Sequence, residues 1–140
     1  MSNKVILVVL DGLNYQVARN CMGYLNGLLE HGHSRPEMRA TLYPVQCELP
    51  SMSRPLYECI LTGVRPVESG IVNNNIVRLS NHDSIFSLAK SQGKVTAAAA
   101  YHWVSELYNR APFEPIRDRF TNDETMNIQH GCFYHWDHYP

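Results

Sequence analysis

The sequence predicts a layered α/β fold: a mostly parallel sheet flanked by helices. Three observations carry that expectation. Lys4-Val5-Ile6-Leu7-Val8-Val9-Leu10 is an unbroken apolar run rich in β-branched residues, and Lys94 to Tyr101 is a second apolar run. Runs without alternation suit strands buried on both faces, as in parallel sheets. Between them lie stretches with helical spacing of apolar residues. The resulting order is strand, helix, strand, helix, helix, strand, helix, which belongs to α/β layers joined by crossovers.

Each element has its own local reason. The first strand, Lys4 to Leu10, ends at Asp11-Gly12. From Asn14 to Glu30, Val17, Cys21, Tyr24, Leu25, Leu28 and Leu29 recur at three and four, predicting one amphipathic helix stopped by Gly32. Pro36 to Tyr43 alternates Met38, Ala40 and Leu42 with Glu37, Arg39 and Thr41, the pattern of a half-exposed strand. Pro44 to Ser53 carries two prolines and two serines and reads as a loop. A helix from Arg54 to Leu61 follows, with Pro55 in its first turn and Thr62-Gly63 at its end. Arg65 to Asn75, with Pro66, Gly70 and three consecutive asparagines, reads as a long loop. Ser84 to Gln92 is a helix closed by Gly93, Lys94 to Tyr101 a strand, and Val104 to Arg110 a short helix. After Ala111-Pro112 the patterning weakens. No interior linker, repeat or charge block divides the chain, so residues 1–140 read as a single α/β domain.

Composition narrows the class. The chain has 140 residues, 44% of them apolar, which excludes collagen-like, disordered and disulfide-scaffold proteins. Twelve basic residues against thirteen acidic ones create no field for a nucleic-acid polymer or an anionic membrane. Cys21, Cys47, Cys59 and Cys132 form no CxxC pair, so they read as reduced, buried thiols in a cytoplasmic protein. The N-terminal apolar run is too short for a membrane span and lacks a cleavage site.

Three places carry chemistry. Asp11 directly follows a strand and precedes Gly12, at the strand end where α/β sheets gather ligands, and its position favours a functional role; the alternative is a cap on the next helix. The aspartyl-nucleophile phosphatases of the haloacid dehalogenase type want a second Asp two residues on, and Leu13 stands there. Ser53 lies at a helix start, where backbone N–H groups and the helix dipole favour anions and a metal could activate a hydroxyl; serine there is also an ordinary cap. Asn74 closes a Gly- and Pro-bearing loop and could give an amide hydrogen to an oxyanion, or serve only in a surface turn.

The order of these features is a strand ending in Asp11-Gly12, then Pro50-Ser51-Met52-Ser53-Arg54-Pro55, then Thr62-Gly63-x-x-Pro66-x-x-x-Gly70-Ile71-x-x-Asn74. It resembles the N-terminal part of the alkaline phosphatase superfamily, in its type I phosphodiesterase/nucleotide pyrophosphatase and phosphonoacetate hydrolase branch. Met22 to Gly32 looks like that family's first helix. The resemblance spans Lys4 to Asn74, and more loosely reaches Tyr101.

The resemblance implies a hydrolase of small phosphate or phosphonate esters with two divalent metals, Zn²⁺ by family expectation and Mn²⁺ as the other candidate. Asp11 would ligate a metal. Ser53 would bind the same metal and attack phosphorus, with Ser51 only a neighbour. Asn74 would bond a phosphoryl oxygen. The family's other ligands lie downstream: an Asp before Gly-His, an Asp-His pair after a late strand, and a final His. Asp137-His138 is the only Asp-His pair here; no apolar strand precedes it and no Gly follows, so it reads as polar tail, as do His130 and His135. His31-x-His33 has a chelating spacing but follows a helix end.

The expectation is therefore the first part of a longer hydrolase, inactive alone and prone to self-associate or form homo-oligomers through an open sheet edge. Two alternatives stand: a non-catalytic α/β binding or interaction module, and a metal-free serine hydrolase pairing Ser53 with His102, which lacks the G-x-S-x-G elbow.

Overall fold

The computed structural model describes residues 4–34 and 39–135, and of His33 and Ser34 only the backbone. Two compact units divide the chain, Met1–Gln46 and Cys47–Pro140.

In the first unit, α1 (Tyr15–Cys21) is capped by Asn14, whose side chain accepts the Gln16 N–H at 2.8 Å. The expected single helix is two. Met22 leaves helical geometry (φ −93°, ψ 78°), and α2 (Gly23–Ser34) begins after it. Asn26 explains how the break is tolerated. Its Nδ2 donates to the Arg19 carbonyl at 2.7 Å, taking the acceptor that a continuing helix would offer to residue 23. Gly32 does not stop α2; it lies inside it. A Cβ there would collide with Ala40, so Gly32 serves a close approach of backbone to side chain.

The expected first strand is corrected. Residues 4–10 form no strand, and Val5 and Ile6 are about nine-tenths exposed. The composition is that of a buried strand, but a strand exists only through a partner's hydrogen bonds. The described residues of this unit contain no other strand to supply them. Of the expected strand over 36–43, residues 36–38 lie outside the described residues, and 39–43 are irregular for the same reason.

The second unit holds the sheet and the core. Its helices are α3 (Ser53–Thr62), α4 (Pro66–Ser69), α5 (Ile85–Ser91), α6 (His102–Tyr108) and α7 (Pro115–Asp118). Its strands are β1 (Ala97–Tyr101), β2 (Phe120–Asn122) and β3 (His130–Tyr134). The α/β class is confirmed, with helices flanking a small sheet. That sheet is mixed, in the order β1-β3-β2. β1 runs parallel to β3, pairing Ala97 with His130 and Tyr101 with Tyr134; β2 runs antiparallel, pairing Phe120 with Cys132.

Local chemistry sets the helix ends. α3 ends at Gly63 in the left-handed region (φ 75°), where a side chain would be strained. The long loop expected over 65–75 contains α4, started by Pro66. Ser84 caps α5 reciprocally with Ser87. β1 runs directly into α6, two residues earlier than its apolar pattern suggests. The core is Leu61, Ile71, Val104, Leu107, Tyr108, Ile128 and Phe133, with Tyr57, Phe86 and Phe113 packed against it. Gly131 is bare so that the buried Phe133 ring can lie over it. The thiols are free, as expected, but Cys21 and Cys47 are exposed rather than buried. No helix among the described residues is long and apolar enough to cross a membrane.

Candidate active site

The site is built on the first turn of α3. Met52 occupies the N-cap and has no oxygen to accept an exposed helix N–H. Ser53 is therefore the first helical residue, not the cap. Asn74, twenty residues on, supplies the missing acceptor: its Oδ1 takes the Arg54 N–H at 3.0 Å. Pro55 follows with no N–H to satisfy. Ser53 and Asn74, both expected in the site, thus belong to one turn and its long-range cap. Ser53 and Asn74 are half-buried, and Ser51 is exposed. The oxygen of Asn74 is committed to α3, and its NH₂ remains the donor side of the amide.

Arg54 anchors this turn and was not foreseen. It is 1% exposed. Its Nη1 donates to the Ile76 carbonyl at 2.6 Å, and its Nη2 to Glu106 Oε2 of α6 at 2.6 Å. The guanidinium carbon sits 4.9 Å from the centre of the Trp103 ring. Glu106 is held in turn, its Oε1 accepting the Phe113 N–H at 3.0 Å. Burial pulls the Arg54 pKa below its ordinary value, against the opposing pull of Glu106. One helical turn on, buried Glu58 accepts the Tyr108 hydroxyl at 2.7 Å and that of Ser80. Burial, then the Glu58 contact, pushes the Tyr108 phenol well above its usual range. The one clue in the sequence was spacing. Arg54 and Glu58 stand at i and i+4, on the face that also carries Leu61.

His102 is buried at the start of α6, its ring 5.3 Å from Phe113 and 4.6 Å from His135 between centroids. Burial lowers its pKa to about 4; His135 and Arg54 push the same way, and Glu106, 3.8 Å from Nε2, opposes. Such an imidazole is a weak base at neutral pH, which disfavours the Ser53–His102 pairing. A stability prediction follows. The unfolded chain protonates this histidine near 6.5 and the folded chain near 4, so the unfolded state binds more protons between them. Stability at this residue is full above pH 6.5 and falls as pH drops to 4, by up to about 3 kcal/mol. Urea unfolding at pH 7 and pH 4.5 should show that His102→Gln removes part of the acid sensitivity; an identical difference in the variant would refute it.

Asp11 lies in the first unit, exposed, in a turn where the Leu13 N–H reaches the Leu10 carbonyl at 3.3 Å and Gly12 takes φ 73°. That turn geometry is what the Asp-Gly pair predicts. His31 is exposed on α2, His130 is exposed on β3, and His135 is half-buried. Asp137 and His138 lie outside the described residues. Among the described residues, no group of three or more His, Cys, Asp or Glu side chains could hold a metal ion. The residues described thus do not make the donor set of a two-metal centre, although the family is generally metal-dependent.

No curated protein and no solved structure matches the chain. The sequence profile of one family, described as type I phosphodiesterase / nucleotide pyrophosphatase, matches residues 5–137. That span takes in the Asp11-Gly12 turn, the α3 start with its asparagine cap, and the whole sheet. The chain belongs to the type I phosphodiesterase/nucleotide pyrophosphatase family of hydrolases.

Proposed function

We propose that this chain carries the nucleophile half of a phosphodiester or phosphonate ester hydrolase site. Ser53 Oγ attacks phosphorus; an O–P bond forms as the ester bond to the leaving alcohol breaks, and that alcohol leaves with a proton. Water then cleaves the serine O–P bond of the resulting alkylphosphoryl-serine (phosphonyl-serine from a phosphonate ester), releasing the phosphate monoester (or the phosphonate) and restoring the hydroxyl. Asn74 donates its NH₂ to a phosphoryl oxygen as charge grows there. The observation that supports this most is the 3.0 Å bond from the Arg54 N–H to Asn74 Oδ1, which sets the amide beside the turn that starts with Ser53.

Asp11 is the proposed metal ligand, for Zn²⁺ or Mn²⁺. The other donors are not assembled among the described residues, so the 140-residue chain alone is expected to turn over little or nothing. The test uses the product of the native reading frame and a chromogenic phosphodiester, with Zn²⁺ or Mn²⁺ added. Rapid acid quench and peptide mass mapping should find the substrate's remaining phosphoryl ester group on the Ser53 peptide. That group on Ser51 instead would refute the assignment. No turnover with either metal would support a non-catalytic binding module.

The substrate class proposed is a small ester, given the balanced charge. Homo-oligomerisation is proposed through β1, an edge strand of four alanines and a tyrosine with no charge or proline to protect it. Sedimentation velocity should show association rising with concentration; a monomer throughout would reject it.

A further inference from the structure

We propose that Arg54 is the positioning residue that holds Asn74 against the Ser53 turn; its role in turnover rests on the reading of that site given above. Arg54 makes three contacts in one buried place. Its backbone N–H goes to Asn74 Oδ1 at 3.0 Å. Its Nη1 goes to the Ile76 carbonyl at 2.6 Å, and its Nη2 to Glu106 at 2.6 Å. Asn74 and Ile76 are two residues apart on one loop. A loop held at both points by a single residue is fixed in tilt as well as in distance. The residue that holds it is the covalent neighbour of Ser53, so the hydroxyl and the amide share one rigid reference.

The side chain could not be simpler and do this. The Ile76 carbonyl and the Glu106 carboxylate belong to different parts of the chain, and a planar fork with separate donors on Nη1 and Nη2 reaches both. Glu106 is itself tethered through the Phe113 N–H, and the Trp103 face packs on the guanidinium. A buried ion pair is weak evidence of stability by itself, because an apolar residue of equal volume often serves as well. What an apolar residue cannot supply is the contact to Ile76. The arrangement is better explained by placement of the loop than by stability.

Two readouts test this, on Arg54→Lys and on Glu106→Gln. The first is amide hydrogen exchange in the 140-residue chain. Lysine keeps the charge but cannot bridge the carbonyl and the carboxylate, so exchange at position 54 should speed up about tenfold or more as the Asn74 contact loosens. The amides of Leu107 and Phe133, which report global opening, should speed up by a clearly smaller factor. The second is a mutant cycle on turnover by the product of the native reading frame. Arg54→Lys should lower kcat about tenfold to a hundredfold with KM little changed. Because Arg54 acts through Asn74, adding Asn74→Ala to Arg54→Lys should cost no more than Asn74→Ala alone.

Unchanged exchange at position 54 overturns the proposal, as does equal acceleration at Leu107 and Phe133, or losses in kcat that simply add. If Arg54→Lys does not fold, Glu106→Gln is judged by the same criteria. If Ser53→Ala leaves turnover intact, the reading of the site fails, while exchange at position 54 still decides whether Arg54 holds the loop.

Discussion

Arg54→Ala is expected to cost about 3–5 kcal/mol of unfolding free energy, the range for removing one partner of a buried ion pair. The geometry puts it there rather than near the ~1 kcal/mol of a surface pair. The two side chains are 2% and 6% exposed, and the contact is 2.6 Å. Alanine leaves the Glu106 carboxylate in the interior, with the Phe113 N–H at 3.0 Å and His102 Nε2 at 3.8 Å as its polar partners among the described residues. It also strips the Ile76 carbonyl of its donor and opens a void beside Trp103. Against a typical total of about 5–15 kcal/mol, this is a large fraction. Replacing both partners, as in Arg54→Met with Glu106→Leu, should recover part of the loss by refilling the space. It should not recover all, since the Ile76 carbonyl and the Phe113 N–H still lack partners. Urea unfolding followed by tryptophan fluorescence measures both. A loss below about 1 kcal/mol for Arg54→Ala would mean that water reaches the pair.

The same residues show where the sequence could be read and where it could not. Helical spacing found α3 and α5 nearly to the residue: α3 buries one face in the core, and α5 is fixed by its Ser84 cap with only Phe86 packed against the core, while Ile85 and Leu88 stay exposed. The alanine run of β1 was legible too. The run over 4–10 has a strand's composition, yet composition cannot create a partner, and none stands beside it among the described residues of its unit. β2 and β3 went unseen because β2 has three residues and β3 has no β-branched residue and a glycine inside it. His130-Gly131-Cys132-Phe133-Tyr134 becomes a central strand only through pairing on both sides. In the site, ordered motifs singled out both Ser53 and Asn74, and the structure sets Asn74 at the turn that starts with Ser53. The bond that brings them together, from the Arg54 amide to Asn74, spans twenty residues of sequence. Arg54, Glu58 and Glu106 were missed for a plainer reason. Charged residues are presumed to face solvent, and only the partner across the interior reveals otherwise.

Ser53→Ala should lower phosphodiester turnover by the product of the native reading frame about a thousandfold or more, because it removes the atom that forms the bond. The fold should survive. Ser53 is the first helical residue, while Met52 holds the cap position and Asn74 accepts the next N–H, so the long-range cap stays in place. Ser51→Ala, two residues earlier and exposed, should leave turnover within about twofold, as a surface change away from the chemistry does. Ser53→Thr should keep substantial activity, since it retains the hydroxyl on the same backbone. Asn74→Ala should fall between these extremes, near a hundredfold, as loss of one oxyanion donor does. It also uncaps α3, so its stability must be measured beside its rate. The ordering separates the alternatives. A binding module gives no turnover to lose. A serine that only caps or packs gives an alanine variant with reduced stability and unreduced kcat. Only a nucleophile gives a folded Ser53→Ala protein without turnover, restored by threonine.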